Sequence, residues 1–351
     1  MQCGVREMTT IAVICSGSPE RTPSTHYRFG QYRDLWREQG VDLTFVTKQE
    51  LLAGASAWPS MAPQALNVLE KADVIVNQKC LLSSHLFRQI KRLGKPLVFD
   101  FDDLIWHRAG NDYSLPTKWK LARRLALWTN GVDQVICANT YLQAALLKKA
   151  GAASVVVPMS LDLDLWCPKS DRVGLVEDGP VQVGWTGSPE YHWLLRKLVP
   201  ALRQAQQQEP LLRFSIHSGV DPQLDLDYAF VPWQKGNEPD YVKSLDIGLL
   251  PMDPDSIFSL GKSPIKGLQY LACGVVPVGN FCGASLDFLR PSNGLIVDQF
   301  LQGWVDAILS VSRDPRRQME LKAQGLADVH LLSDRRRVGE SLLRLLLVEA
   351  G

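Results

Sequence analysis

The chain has 351 residues, 46% apolar and 21% charged, a globular balance that excludes extended disorder. Its 38 lysines and arginines against 37 acidic residues leave a net charge of +1, so no bulk field draws it to nucleic acid and electrostatic arguments must be local. The length exceeds one ordinary core and suits two domains, and no apolar run reaches the roughly 18 residues of a membrane span.

Short β-rich runs alternate with helical stretches, the pattern of parallel sheets with crossover helices. Strands are expected at 10–15, 42–47, 73–77, 96–100, 133–137 and 154–157, with helices near 27–39, 61–71, 84–93, 116–129 and 140–149. Around 158–180 the periodicity fades into Pro, Asp and Gly, which marks a linker. The alternation restarts with strands near 181–185, 212–216, 229–231, 246–249, 275–279 and 294–297. Helices are expected near 189–207, 238–244, 264–273 and 300–312, and two more near 315–327 and 335–348. The division is thus a lobe over 1–160, a linker over 161–180, a second lobe over 181–330 and a last helix over 331–351. The seven cysteines show neither a CxxC pair nor zinc-like Cys/His spacing, which points to a reduced, cytoplasmic setting. "TTIAVICSG" is too short and wrongly flanked for a signal peptide.

Each lobe opens with a strand running into Gly-Ser-Pro-Glu, "IAVICSGSPE" and "VQVGWTGSPE". Ligands of open α/β sheets sit at the carboxyl ends of strands, so both turns fall where a site would form. In the second, Gly187 permits close backbone approach, and Ser188 and Pro189 read as N-cap and N1. "KSPIKGLQYLACG" reads the same way, with Ser263 as N-cap, Pro264 as N1 and Gly274 as a left-handed C-terminal cap. Lys262, Lys266, Gln269 and Cys273 then share one face, and Ile265, Leu268, Leu271 and Ala272 the other. Two lysines at a positive dipole end invite a phosphate, while solvated lysines are the simpler reading.

"LVFDFDDLIW" sets Asp100, Asp102 and Asp103 at a strand end, where they could bind a cation, accept bonds from sugar hydroxyls, act as a base or cap the turn. Arg28, at the entry of the first helix, could contact an anion or stay solvated. Of His85, His107, His192 and His217, the best placed are His107, just past the aspartates, and His217, at the end of "LRFSIH". "TKWKLARRLALW" could lie on anionic lipid or cover a packed core with a solvated face.

The stretches "DIGLLPMDPDSIFSLGKSPIKGLQYLACGVVPVGN", "VGWTGSPEYHWLLRKLVPAL", "VFDFDDLIW" and "DQVICANTYLQAALLKKAG" together resemble the GT-B glycosyltransferases of family 4, or glycosyl transferases group 1, in a branch with a KSPxK motif. The resemblance implies an α/β fold of two Rossmann-like lobes with parallel sheets facing a central cleft, and a last helix crossing back to the first lobe. It implies transfer of a sugar from a nucleotide-diphosphate sugar to a hydroxyl acceptor with retention of configuration. It further implies that no cofactor is required and a divalent metal is not expected, with a sugar, lipid, small molecule or protein as acceptor. Gly187, Ser188, His217, Trp233, Ser263 and Gln269 would hold the donor, with Lys262 and Lys266 neutralising its diphosphate. Arg28, Asp100, Asp102 and His107 would face the acceptor and Asp103 would take its proton. Gly261 and Gln269 stand where the family commonly has two glutamates. A sugar-nucleotide- or glycan-binding protein of little or no activity, or a GT-B-fold epimerase, is the alternative. The setting implied is the cytoplasm, with peripheral contact to the inner face of a membrane left open.

Overall fold

The computed structural model describes residues 8–53, 61–107, 113–169, 179–263, 265–298 and 301–348. They form two compact units: Met1–Ser160 with Gly261–Ser263 and Arg335–Gly351, and Leu161–Leu260 with Pro264–Asp334.

In the first unit the chain runs β1 (Thr9–Cys15), α1 (Pro23–Arg28), α2 (Arg33–Arg37), β2 (Val41–Thr47), α3 (Lys48–Leu52), α4 (Pro63–Lys71), β3 (Val74–Gln78), α5 (Ser84–Lys91), β4 (Leu97–Phe101), α6 (Leu115–Asn130), β5 (Gln134–Cys137), α7 (Thr140–Ala150) and β6 (Val155–Val156). The strands make one parallel sheet in the order β2-β1-β3-β4-β5-β6. β3 and β4 are buried throughout, as continuous apolar runs in a sheet covered on both faces require. The helix expected over 27–39 is broken into α1, a 3₁₀ turn over Gly30–Tyr32 and α2. Phe29 leaves the helical region (φ −138°), and Gly30 lies so close to Pro19 that a Cβ would stand 2.5 Å from its ring. The short α3 was not anticipated, although Thr47 and Glu50 form a full capping box whose T-x-x-E spacing is visible in the sequence.

The second unit continues with β7 (Val181–Thr186), α8 (His192–Gln208), β8 (Leu212–Ser218), β9 (Tyr228–Pro232), α9 (Glu238–Lys243), β10 (Ile247–Leu250), α10 (Ile257–Gly261), α11 (Ile265–Ala272), β11 (Val276–Gly279), β12 (Leu295–Ile296), α12 (Leu301–Ser312) and α13 (Pro315–Leu332). Its sheet is again parallel, in the order β12-β11-β10-β7-β8-β9. Numbered from β7 this is 3-2-1-4-5-6, the Rossmann order, with its reversal between β7 and β10. Val183, Leu202, Phe214, Ile247, Val276 and Trp304 build the core. Part of the expected linker, residues 170–178, lies outside the described residues.

The last helix, α14 (Arg335–Val348), belongs to the first unit, as the resemblance implied. Val338, Leu342 and Leu346 join Phe29, Tyr32 and Trp36 in its core. Gly339 makes this approach possible, because a Cβ there would stand 2.8 Å from the Tyr32 ring. Its carbonyl accepts from Trp36 Nε1 at 3.1 Å.

At the reversal point of the second sheet Gly184 and Gly248 are register partners on β7 and β10. Without side chains there, Tyr241 and Tyr270 can lie directly against the strands: a Cβ on either glycine would meet a tyrosine atom at 2.5 Å. Tyr270 is fully buried, so it cannot swing clear. Gly248→Ala should therefore lower stability by about 1–3 kcal/mol, read as an earlier midpoint in urea; an unchanged midpoint would show that the tyrosine floor yields freely.

Candidate functional site

The carboxyl ends of β7 and β8 carry a connected set of polar side chains. Thr186, the last residue of β7, places Oγ1 2.9 Å from Nδ1 of His217 and donates to Glu238 Oε1 at 3.0 Å. Lys266 Nζ donates to the same Glu238 oxygen in a short ion pair. His217 Nε2 lies 3.0 Å from Asn237 Oδ1. Asn237 Oδ1 also accepts from Gln234 N, and its Nδ2 donates to Pro232 O; this fixes the amide, so His217 Nε2 carries a hydrogen. The His217 ring stacks on Tyr241 at 4.7 Å.

These positions follow from the topology. α9 follows β9, and α11 follows β10 after the short α10, so Glu238 at the start of one and Lys266 at the start of the other meet beside the reversal point, where open α/β sheets bind ligands. Burial opposes ionisation of Glu238, but the Lys266 charge and hydrogen bonds from Lys266 and Thr186 outweigh it and hold the carboxyl below its ordinary range. Burial likewise keeps the His217 pKa below normal, against the hydrogen bond to Asn237 and the nearby Glu238 charge. His217 is thus neutral near pH 7.

Of the expected donor residues, Gly187 follows Thr186 directly. Its N–H donates to His217 O, and its carbonyl accepts from Ser218 Oγ at 2.8 Å. His192 Nε2 lies 2.9 Å from the same Ser218 oxygen. Ser188 is exposed and its side chain caps nothing; Pro189 begins a 3₁₀ turn, and α8 starts only at His192. Trp233, half-exposed after β9, donates its N–H to Ser218 O.

The KSPIK helix departs from expectation. α11 starts at Ile265 and Lys262 precedes it in a bend, so the two lysines do not share a helical face; Pro264 lies outside the described residues. From Gly267 to Ala272 every residue is buried, so Gln269 lies in the interior instead of on a polar face. Gly274 has the left-handed conformation (φ +67°) that ends the helix. Glu238 was missed: in "NEPDYV" its sequence signal is only that of an ordinary first-turn acid.

The first unit has its own charged cluster at the carboxyl ends of β3 and β4, and it corrects several expectations. Arg28 is buried, with 1% of its side chain exposed. Its guanidinium makes a bidentate pair with Asp100, Nε to Oδ2 at 3.1 Å and a shorter contact from Nη2. Nη1 donates to Val157 O at 2.7 Å. Burial works against its charge, yet the Asp100 carboxylate more than offsets this and raises its pKa. The Arg28–Asp100 pair is therefore internal, and neither group faces an acceptor. Asp102 accepts from Ser24 Oγ at 2.5 Å and pairs with Lys79, which also reaches Asp103 at 3.0 Å. Burial, then the neighbouring Asp102 charge, pushes the Asp103 carboxyl up against the pull of Lys79 and Lys262. Lys79, in a left-handed conformation (φ 47°), was not foreseen. His107 is partly exposed, its ring 6.5 Å from that of Trp106. Ser263 Oγ donates to Asp102 O and accepts from Asn139 Nδ2, both at 3.1 Å.

Among the described residues no group of three or more His, Cys, Asp and Glu is arranged to hold a metal ion, and no helix is long and apolar enough to cross a membrane.

Neither a protein-family model nor a curated protein sequence matches the chain. Solved structures do match its fold. A sucrose-phosphate synthase from Thermosynechococcus elongatus superposes with TM-score 0.70 at 16% identity, over 96% of this chain and 98% of that one. Anabaena HepE in complex with UDP gives 0.70 at 15%, over 97% and 99%. A glycosyltransferase from Rickettsia africae gives 0.70 at 10%, over 98% and 99%. The chain therefore has the two-unit α/β fold of GT-B glycosyltransferase structures.

Two outcomes test these clusters. Arg28→Leu strands a buried carboxylate and should cost about 3–5 kcal/mol in chemical denaturation, part of it recovered by adding Asp100→Leu; no recovery would mean the two groups are not coupled. Ionised Glu238 contributes stability that is fully present above the ordinary glutamate pKa of about 4.3 and is lost as pH falls through its lowered native value. The melting temperature of the unaltered protein should thus drop more steeply than that of Glu238→Gln between about pH 5 and pH 3, and parallel curves would count against the Lys266–Glu238 pair.

Proposed function

We propose that the protein is a glycosyltransferase moving a sugar from a nucleotide-diphosphate sugar to a hydroxyl acceptor. The observation that carries this is the Lys266–Glu238 pair beside the strand-order reversal of the second sheet. It lies in a chain whose fold matches, nearly end to end, structures described as a glycosyltransferase and as HepE with UDP or UDP-glucose. Reaction builds negative charge on the departing β-phosphate, and an ammonium already held in place stabilises that charge without reorganising. A donor diphosphate at this point would contend with Glu238 for Lys266, while the exposed Ser188 and half-exposed Trp233 offer contacts to its other parts. Lys262 is assigned the second cation of the motif, and Asp103, whose raised pKa suits proton uptake, the acceptor proton. Retention of configuration and independence from divalent metal belong to this reading. They would be checked by the anomeric form of the product and by activity in chelator.

Gln269, a neutral and fully buried amide, favours one second reading, a protein that binds sugar nucleotides without turning them over. A thermal-shift series with UDP, GDP, ADP, CMP and dTDP should single out one nucleotide that raises the melting point; no response to any would sink both readings. With the matching labelled nucleotide sugars, slow hydrolysis or transfer is expected, and binding without either would favour the second. Lys266→Ala should depress transfer by about 10²–10³-fold, and full turnover in that variant would remove Lys266 from the mechanism.

A further inference from the structure

In the first sheet α5, α6 and α7 connect β3 to β4, β4 to β5 and β5 to β6. These strands follow one another across the sheet, so right-handed crossovers put all three helices on one face. Phe87 of α5 meets Trp128 of α6 edge-on at 5.0 Å. Arg124 Nη1 and Trp128 Nε1 donate to the carbonyls of Leu81 and Leu82 just before α5.

This face carries charge of one sign. The sequence from Val74 to Phe99 contains no acidic residue, and from Tyr113 to Leu161 only Asp133, whose carboxylate pairs with Lys91 at 2.8 Å. Arg88, Lys120, Arg123, Lys148 and Lys149 are all exposed. In a chain of net charge +1 this is a marked segregation. Large apolar side chains stand in the open among these cations: Leu115 is 80% exposed, Trp119 64% and Leu147 58%. Arg123 lies over the Trp119 ring at 4.7 Å, which leaves an indole and a guanidinium side by side on the outer surface of α6.

We propose that the α5–α6–α7 face docks on the surface of an anionic lipid bilayer. Lysines and arginines alone would suit any polyanion, but exposed leucines gain nothing from a phosphate backbone. A lipid interface rewards both, taking apolar side chains below the headgroups and leaving cations among them. Tryptophan, with an apolar body and one N–H, is suited to that boundary. The docking does not depend on the sugar-nucleotide reading.

The test is flotation of the full chain with vesicles of phosphatidylcholine alone or with about 30% phosphatidylglycerol, at low and at about 0.5 M salt. Recovery with anionic vesicles should exceed that with neutral ones by about tenfold and fall at high salt. Lys120→Glu with Arg123→Glu should abolish the difference, as should Lys148→Glu with Lys149→Glu if the first pair lowers the melting temperature. Trp119→Ser should weaken flotation while leaving the melt unchanged. Equal recovery with both vesicle types, or none with either, overturns the proposal. So does a Trp119→Ser variant that floats like the unaltered protein. Retention on RNA or heparin as strong as on vesicles and insensitive to Trp119 would make the face a general polyanion site and also overturn it.

Discussion

A charge withdrawn from water has to be met where it lies, and both sheets collect such charges at their carboxyl ends. In the first unit the requirement is strict. Arg28 and Asp100 are sealed together, and Arg28 Nη1 donates to Val157 O just beyond β6. That pair ties α1, β4 and the chain beyond β6 into one block, against which Ser24, Gln78 and Asp102 are ordered. In the second unit it is looser: Lys266 and Glu238 keep 28% and 18% of their side chains exposed. A pair that is partly wet can exchange partners at lower cost than one that is dry. Both clusters lie at carboxyl ends of strands; the Arg28–Asp100 pair is dry, whereas the Lys79–Asp103 pair of the first unit is about as wet as the Lys266–Glu238 pair of the second.

Access there is built from the floor upward. Gly184 and Gly248 clear the strand surface, Tyr270 fills the space over Gly248, and Tyr270 is part of α11, whose first turn carries Lys266. The Tyr241 hydroxyl shares the space over Gly184 with the Leu245 methyls, and its ring supports His217 from α9, whose first residue is Glu238. The partners of the ion pair are thus carried by two helices whose tyrosines use the room left by two missing side chains.

The strands were legible because their apolar runs are continuous and bounded by turn residues, so that β3, β4 and β7 fall within a residue of their expected limits. Periodicity succeeded where one face decides. It failed at α11, which is buried on all sides from Gly267 onward, so the polarity of Gln269 and Cys273 said nothing about which face met solvent. The break at Phe29 and Gly30 arises from the approach of Pro19, a tertiary contact with no local signature. Arg28 looked like a free cation because its partner lies 72 residues away, and Lys266 because Glu238 sits in another helix. Pairings of charges are what a linear reading cannot supply; the positions of the strand ends that bring them together are what it can.

The hydroxyl of Thr186 has one hydrogen and two claimants. Since Asn237 fixes the hydrogen of His217 on Nε2, the neutral ring can only accept at Nδ1, while Glu238 Oε1 seeks the same hydrogen. The hydrogen goes to Glu238 Oε1, the oxygen that Lys266 also engages, and Nδ1 faces the Thr186 oxygen with no hydrogen between them. Drawing Lys266 toward any other anion would remove a positive charge that helps hold the His217 pKa down, and so alter how readily Nδ1 takes a proton. The nitrogen resonances of a single interior imidazole would then act as a spectroscopic gauge of where the Lys266 ammonium is engaged, legible without following any reaction.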